Sequence, residues 1–244
     1  LAPATLEVTG RRRVFVAGAA ALPAPPAVNP MLTCYAVGWR LGELLGGLPR
    51  LETARLALRP FDDADAAELP ALCEWAVART CARVPHPYTV ADAAAFVAYA
   101  RSAPDGLTLA VRRRSDDALV GCASLDDVHT YASGARGASV GYWFARTAWG
   151  RGYATEAARA LVAHGFDELG LDRVVGHHFV ENPASGRVLA KLGFAEMAYA
   201  APQTCAARGG EALPTRALSL TREAWEAGAA EPAGNTRVAA AISS

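Results

Sequence analysis

No sign of charge dominates this chain. Its 24 lysines and arginines are matched by 24 aspartates and glutamates, for a formal net charge of zero. Gripping nucleic acid through its phosphates needs a basic surface, so nucleic acid is not an expected partner, although a locally charged cleft stays open. A metal or disulfide framework is missing too. The five cysteines, Cys34, Cys73, Cys81, Cys122 and Cys205, are odd in number and none stand in C-x-x-C spacing. That argues against a zinc site and for reduced thiols in a cytoplasmic protein. No apolar run reaches the roughly twenty residues of a bilayer-spanning helix, so no membrane partner is expected. What is present is a chain of 244 residues, 52% of them apolar, enough to bury one sizeable core with extensions.

The ends are poor in pattern. Residues 1–30 are rich in alanine and proline and read as loosely attached. Within them Arg11-Arg12-Arg13, the apolar run 14–22 and Pro23-Ala24-Pro25-Pro26-Ala27 have the layout of a secretory leader, a pattern of low specificity. Met31 offers an alternative initiator, with the preceding segment an upstream extension. Residues 31–49 suggest a weak amphipathic helix, interrupted by Gly38, Gly42, Gly46 and Gly47. The expected organisation is an extension over 1–50, a domain over 51–225 and a flexible tail over 226–244.

Within the domain, 56–60 reads as a strand stopped by Pro60. Asp62 or Asp63 is placed to cap a helix running to about Arg79. A second helix is expected over 91–101, capped by Thr89. Leu107–Arg113 and 118–125 make a hairpin around Ser115-Asp116-Asp117. A strand follows over 139–144, then the strongest helix, 152–169, with Ala154, Ala157, Ala158, Leu161, Val162, Gly165, Phe166 and Leu169 at helical spacing and Gly170 as its stop. A valine-rich strand over 173–180, a short helix over 184–192 and strands over 194–200 and 215–220 complete the order. This alternation predicts a mixed sheet with helices on both faces.

The segment Trp149-Gly150-Arg151-Gly152-Tyr153-Ala154-Thr155-Glu156-Ala157 lies between a strand and the long helix. Small residues let the backbone curl toward a ligand, and the helix start offers unpaired N–H groups and the positive end of its dipole. Together these make an anion site suited to a pyrophosphate, with Thr155 adding a hydroxyl and Arg151 a charge. A plain glycine turn is the bland alternative. A dinucleotide fingerprint lacks its third small residue, occupied by Thr155, and its acidic residue on the next strand. A phosphate-binding loop of the Gly-Lys-Ser/Thr type fails outright.

Three blocks in order carry a resemblance. Gly141-Tyr142-Trp143-Phe144 with the glycine segment, then the run from Glu181-Asn182-Pro183-Ala184-Ser185 through Leu192-Gly193-Phe194, and more weakly Leu51-Glu52-Thr53-Ala54-Arg55-Leu56 with Leu58-Arg59-Pro60, resemble the GNAT acetyltransferases, and within them the RimJ/RimL-like branch. The resemblance covers about residues 51–225. It implies an α/β fold whose central, mostly antiparallel twisted sheet of six or seven strands splays between the fourth and fifth. It also implies acetyl-CoA as co-substrate, no metal, and an amine as the partner: a peptide N-terminus or a small molecule.

Carried over residue by residue, the resemblance puts the pyrophosphate on backbone N–H groups of Trp149, Gly150, Arg151, Gly152, Tyr153, Ala154 and Thr155. Trp149 stands where many relatives have Gln or Arg. Phe144 would give a backbone contact to the pantetheine arm, Tyr142 would lie near the acetyl group, Asn182 would hold the arm and Ser185 would donate to the leaving thiolate. Asn182 and Ser185 also suit helix capping. The tyrosine that many relatives use as general acid is replaced by Leu189, and the usual strand glutamate by Ser139. Catalytic roles are therefore expected for Ser185 and Tyr142, in direct transfer without a covalent enzyme intermediate. An α-amine, titrating near 8, needs less help than a lysine near 10.4.

The base is open among Asp126, Asp127, His129, His177 and His178. Strand alternation sends His177 and His178 to opposite faces, so one at most is expected to face the cleft. The loop 131–137 is a candidate for shaping substrate entry. A second class of function is a degenerate domain that binds acyl-CoA without turnover. A monomer and a homodimer are both compatible with the sequence.

Overall fold

The structure, a computed structural model, describes residues 48–102 and 106–230. The leader-like stretch, Met31, the weak helix expected over 31–49 and most of the expected tail lie outside the described residues. Strands β1 (Leu51–Glu52) and β2 (Leu56–Pro60) lead into helices α1 (Asp65–Leu72), α2 (Trp75–Ala78) and α3 (Val90–Ser102). A meander follows: β3 (Leu107–Arg113), β4 (Ala118–Thr130) and β5 (Arg136–Phe144). Next come α4 (Tyr153–Asp167), β6 (Arg173–Phe179), α5 (Pro183–Lys191) and β7 (Ala195–Glu196). A small hairpin of β8 (Gln203–Cys205) and β9 (Glu211–Leu213) precedes β10 (Thr215–Thr221) and α6 (Arg222–Ala230).

The main sheet has eight strands in the order β1-β2-β3-β4-β5-β6-β10-β7. Its neighbours run antiparallel except β5 and β6, which are parallel. Helix α4 covers one face, burying Ala157, Ala158, Leu161, Val162 and Phe166, with Gly165 directly against Leu125 of β4. Helices α1 and α3 cover the other through a core of Phe61, Leu69, Val97, Ala110 and Cys122. The expected cap on α3 forms: the Thr89 hydroxyl accepts from the Asp92 N–H (3.2 Å), and the Asp92 carboxylate accepts from the Thr89 N–H (2.8 Å).

Several expected elements differ. The single helix over 62–79 is two helices: the first runs through Pro70 to Leu72, and Glu74 is extended (ψ 165), which breaks the helical path before Trp75. Asp62 caps the turn that leads into α1: its carboxylate accepts from the Ala64 N–H (3.1 Å), and Asp65 folds back to accept from the Asp62 N–H (2.7 Å). Asp63 pairs with Arg101 (2.6 Å). The strand expected over 194–200 pairs only at Ala195–Glu196. The β8–β9 hairpin was not expected, although Gly209-Gly210, both at positive φ (65 and 85), carries its turn signal. The last helix runs through Ala230, past the boundary expected at 225.

Asp65 is a structural keystone. Its fully buried carboxylate accepts two hydrogen bonds from Arg59 (2.8 Å each) and one from Arg112 (2.6 Å). Burial alone would raise its pKa. Hydrogen bonds from Arg59, the Asp62 N–H and Arg112 outweigh that and hold the carboxyl below the ordinary carboxylate value. A depressed folded-state pKa stabilises the fold fully above the unfolded carboxylate pKa, and that stability is lost as pH falls through the folded pKa. Asp65→Asn leaves Arg59 and Arg112 without their shared charge and is expected to cost about 3–5 kcal/mol. Urea denaturation near neutral pH reads the loss as a lower midpoint at unchanged slope. The gap between variant and wild type should narrow in acid.

Candidate active site

The glycine segment does what its composition permits. Gly150 and Gly152 both take left-handed backbone (φ 72 and 78), and Gly152 is the N-cap of α4. A side chain at Gly150 would meet nothing within 4 Å, and at Gly152 only Arg55 Nη2 at 3.5 Å. The loop is therefore an open cradle, with the unpaired N–H groups of the α4 first turn at its floor.

A network of residues distant in sequence fixes this cradle. Glu156 accepts from the Thr53 hydroxyl (2.6 Å), the Arg55 N–H (2.8 Å) and Arg55 Nε (2.7 Å). Arg55 Nη1 donates to the Arg151 carbonyl (2.9 Å), and the guanidinium lies 4.8 Å over the Tyr153 ring. Tyr153 is buried under it, so only its backbone is free to meet an anion. The Arg151 side chain does not line the cleft. Trp149 is half-exposed and donates its indole N–H to the Phe144 carbonyl (2.8 Å).

Above the cradle the sheet opens. β5 and β6 pair only from Gly137↔Arg173 to Val140↔Gly176, while β6 stays paired with β10 as far as Phe179↔Thr215. The Ala145 N–H donates to Val120 of β4 (2.9 Å). Peptide groups alternate sides along a strand, so Phe144 and Tyr142 direct theirs away from β4, into the gap. An extended ligand can add itself there as a surrogate strand. A cleft of about 1410 Å³ passes through this gap and is lined from both faces of the sheet.

On the α4 and α5 face, the Tyr142 hydroxyl lies 3.0 Å from both the Ser185 hydroxyl and the Ser185 carbonyl. Burial pushes Tyr142 up to about 12, with the Ser185 hydrogen bond opposing. The phenol therefore keeps its proton at neutral pH, and β5 brings it against the first turn of α5. Leu189 is buried and packs on Gly176. Asn182 caps α5 by accepting from the Ser185 N–H (3.4 Å), and its side chain also borders the cleft.

On the α1 and α3 face, a polar row crosses an apolar surface. Thr108 of β3 is opposite Ser124 of β4, which is opposite Gly141 of β5. One step beyond Val140↔Gly176, His177 of β6 follows Gly141 across the gap. Asp126, opposite Ser139, accepts from Arg83 Nη2 (2.5 Å) and from the Ser124 hydroxyl (3.0 Å). Burial lowers the His177 pKa from its ordinary value, so its imidazole is neutral at pH 7 and able to accept a proton. Burial also pushes the Cys73 and Cys81 thiols up to about 12 and Cys122 well above its ordinary value. They stay protonated and are poor nucleophiles.

The structure brings together Tyr142, Phe144, the glycine loop, Asn182 and Ser185. Both histidines line the cleft, against the expectation of one at most, because the cleft passes through the sheet instead of lying on one face. His178 packs on Gly186 and donates Nδ1–H to the Phe179 carbonyl (2.9 Å). His129 packs edge-on against Tyr131 and does not border the cleft. Nor does the loop 131–137: Tyr131, Ser133 and Ala135 line a separate hollow with Asp172 and Arg173. Sequence reasoning missed Arg83 and Thr108, which no motif marks, and the Arg55–Glu156 tie, whose two ends both lay in quoted blocks.

Comparison with known proteins identifies the family and the fold. The profile of the acetyltransferase (GNAT) domain matches residues 55–195. The chain is 30% identical over 149 residues to the uncharacterized N-acetyltransferase YoaA of Bacillus subtilis, covering 60% of this chain and 82% of that protein. Among solved structures, a GNAT-family acetyltransferase from Bacillus anthracis superposes with a TM-score of 0.59 at 24% identity, over 72% of this chain and 99% of that one. Mycobacterium smegmatis RimJ in complex with CoA-disulfide superposes with a TM-score of 0.58 at 23% identity, over 69% and 82% respectively.

Proposed function

Because the chain belongs to the GNAT acetyltransferase family, we propose that it moves an acetyl group from acetyl-CoA to a primary amine, on a peptide N-terminus or a small molecule, by direct attack. The observation that supports this most is the alignment of the open cradle at Gly150 and Gly152 with the gap between β5 and β6. The cradle suits a pyrophosphate and the gap an amide-bearing arm. Acetyl-CoA supplies the activated acetyl thioester. Backbone N–H groups of the α4 first turn hold the diphosphate, and the outward peptide groups of Tyr142 and Phe144 pair with the arm. One of these strand N–H groups is placed to stabilise developing negative charge on the thioester oxygen.

The amine approaches from the α1 and α3 face, over Gly141. His177 takes the proton that the amine must lose, and Asp126 orients the nitrogen. The C–N bond forms as the C–S bond breaks, and the departing sulfur is protonated from the Tyr142–Ser185 pair. No cysteine is needed as a relay. Calorimetric titration with acetyl-CoA, followed by thiol release with peptides and small amines, tests the reading. Binding with amine-dependent release is expected. Absence of acetyl-CoA binding sinks it, and binding without release on any amine favours a module that holds acyl-CoA without turnover.

A further inference from the structure

The side of the cleft that receives the amine has a specific composition. Its wall is apolar, formed by Cys73, Val77, Tyr88 and Phe96. Its floor is the polar row, and one member of that row lacks a partner. The Thr108 hydroxyl is buried, with the residue 3% exposed, and it makes no hydrogen bond among the described residues. A buried hydroxyl without a partner costs free energy that a bound polar group recovers. Gly141 lets the backbone approach the Ser124 hydroxyl closely: a Cβ there would lie 2.8 Å from that oxygen, too near for a side chain, and 3.7 Å from Asp126 Oδ2.

The charges at this place form a pair of opposite sign. Arg83 comes from the segment between α2 and α3 and spends one N–H on Asp126, while its side chain remains 71% exposed. A guanidinium has five N–H donors in a fork that matches a carboxylate. Asp126 in turn faces the position above Gly141. Of the other carboxylates that line the cleft, Asp92 accepts from the Thr89 N–H and hydroxyl (2.8 and 2.6 Å), and Asp127 is 74% exposed.

We infer that the acceptor is a free α-amino acid with an apolar side chain, its amine held by Asp126 above Gly141 and its carboxylate held by Arg83. The pair is the complement of a zwitterion, with the two partners as close to each other as the two charges of the ligand. The Thr108 hydroxyl then donates to the ligand, and the apolar wall receives the side chain. This rests on the acetyltransferase reading and names the substrate class of the same site. A peptide N-terminus, which has an amide where the carboxylate would be, leaves Arg83 without its second partner.

Initial rates of thiol release with leucine, leucinamide, spermidine and a short peptide test it. Leucine is expected to exceed leucinamide in kcat/KM by about tenfold or more, the range of a charge-assisted hydrogen bond. Arg83→Gln should bring the ratio of leucine to leucinamide close to one, and Arg83→Lys should restore part of it. A role for Arg83 only in steadying Asp126 lowers both rates together and leaves the ratio in place, which overturns the inference. So does a wild-type enzyme that prefers leucinamide, spermidine or the peptide. If acetyl-CoA binds but no amine releases thiol, the transfer reading fails, and titration of leucine against leucinamide into the CoA-loaded protein still decides this one. Tighter binding of leucine upholds it and equal or absent binding overturns it.

Discussion

Gly152→Glu is expected to weaken acetyl-CoA binding by about a hundredfold or more while the protein stays folded. Two effects act at this position and they separate cleanly. Gly152 is left-handed (φ 78), where an L side chain costs roughly 1–2 kcal/mol. That cost falls on stability, and a lower melting temperature reads it. The second effect falls on binding. The glutamate is placed at the mouth of the cradle, where two like charges about 4 Å apart repel by about 4 kcal/mol at the effective dielectric of a protein surface. Arg55 Nη2, 3.5 Å from the Gly152 Cβ position, would draw the new carboxylate inward and lose its own grip on Glu156. Gly152→Ala has the strained backbone without the charge, so its binding loss should stay under about tenfold. Calorimetry on the two variants measures the difference. Equal and small losses in both would mean that the diphosphate is held elsewhere.

The cradle was legible because its chemistry is local. Glycines two apart before a long apolar-striped helix specify a loop and a dipole without reference to the rest of the chain. The same holds for most of α4, where Ala157, Ala158, Leu161, Val162, Gly165 and Phe166 are buried as expected while Ala154 and Leu169 are not and Tyr153 is, and for β3, whose bounds are those read from alternation. What escaped depends on contacts between distant segments. The Asp65 ion cluster joins β2, α1 and β3, and nothing local says that Asp65, next to the expected caps, will meet two arginines from distant strands. The short β1 and β7 are strands only because a longer neighbour pairs with them. Arg83 lies in a segment without periodicity, and nothing local says that it will meet Asp126, 43 residues on.

The splay shows the same division more sharply. Strand alternation assigned His177 and His178 to opposite faces, and the structure keeps them there. The expectation that one of them at most would face the cleft failed because it confined the cleft to one face of the sheet. Once β5 and β6 part after Val140↔Gly176, both faces open onto one space, and the donor and acceptor halves of the reaction can occupy opposite sides. Parity along a strand is a local property. Whether two strands remain in contact depends on what packs against them, here one helix, α5, which sets Leu189 on Gly176 and Ser185 on Tyr142.

Tyr142→Phe is expected to lower kcat by about a hundredfold with the KM for acetyl-CoA changed by no more than a few-fold, as for removal of a positioned general acid. The phenol suits this role by its place and by its charge state. It is held 3.0 Å from the Ser185 hydroxyl, and burial raises it to about 12 from an ordinary 10.0, so it keeps its proton at any pH at which the amine is usefully neutral. A proton given to sulfur is regained through Ser185, whose hydroxyl is both donor and acceptor. Ser185→Ala removes that second link and should cost less, about tenfold. The two hydroxyls act as one unit, so the double variant should be little slower than Tyr142→Phe alone, a non-additivity that distinguishes a relay from two independent contacts. Steady-state kinetics on the three variants decide it. A kcat for Tyr142→Phe within about twofold of wild type would remove the tyrosine from the chemistry and leave solvent as the donor. Additive losses would keep both residues in the site and break the link between them.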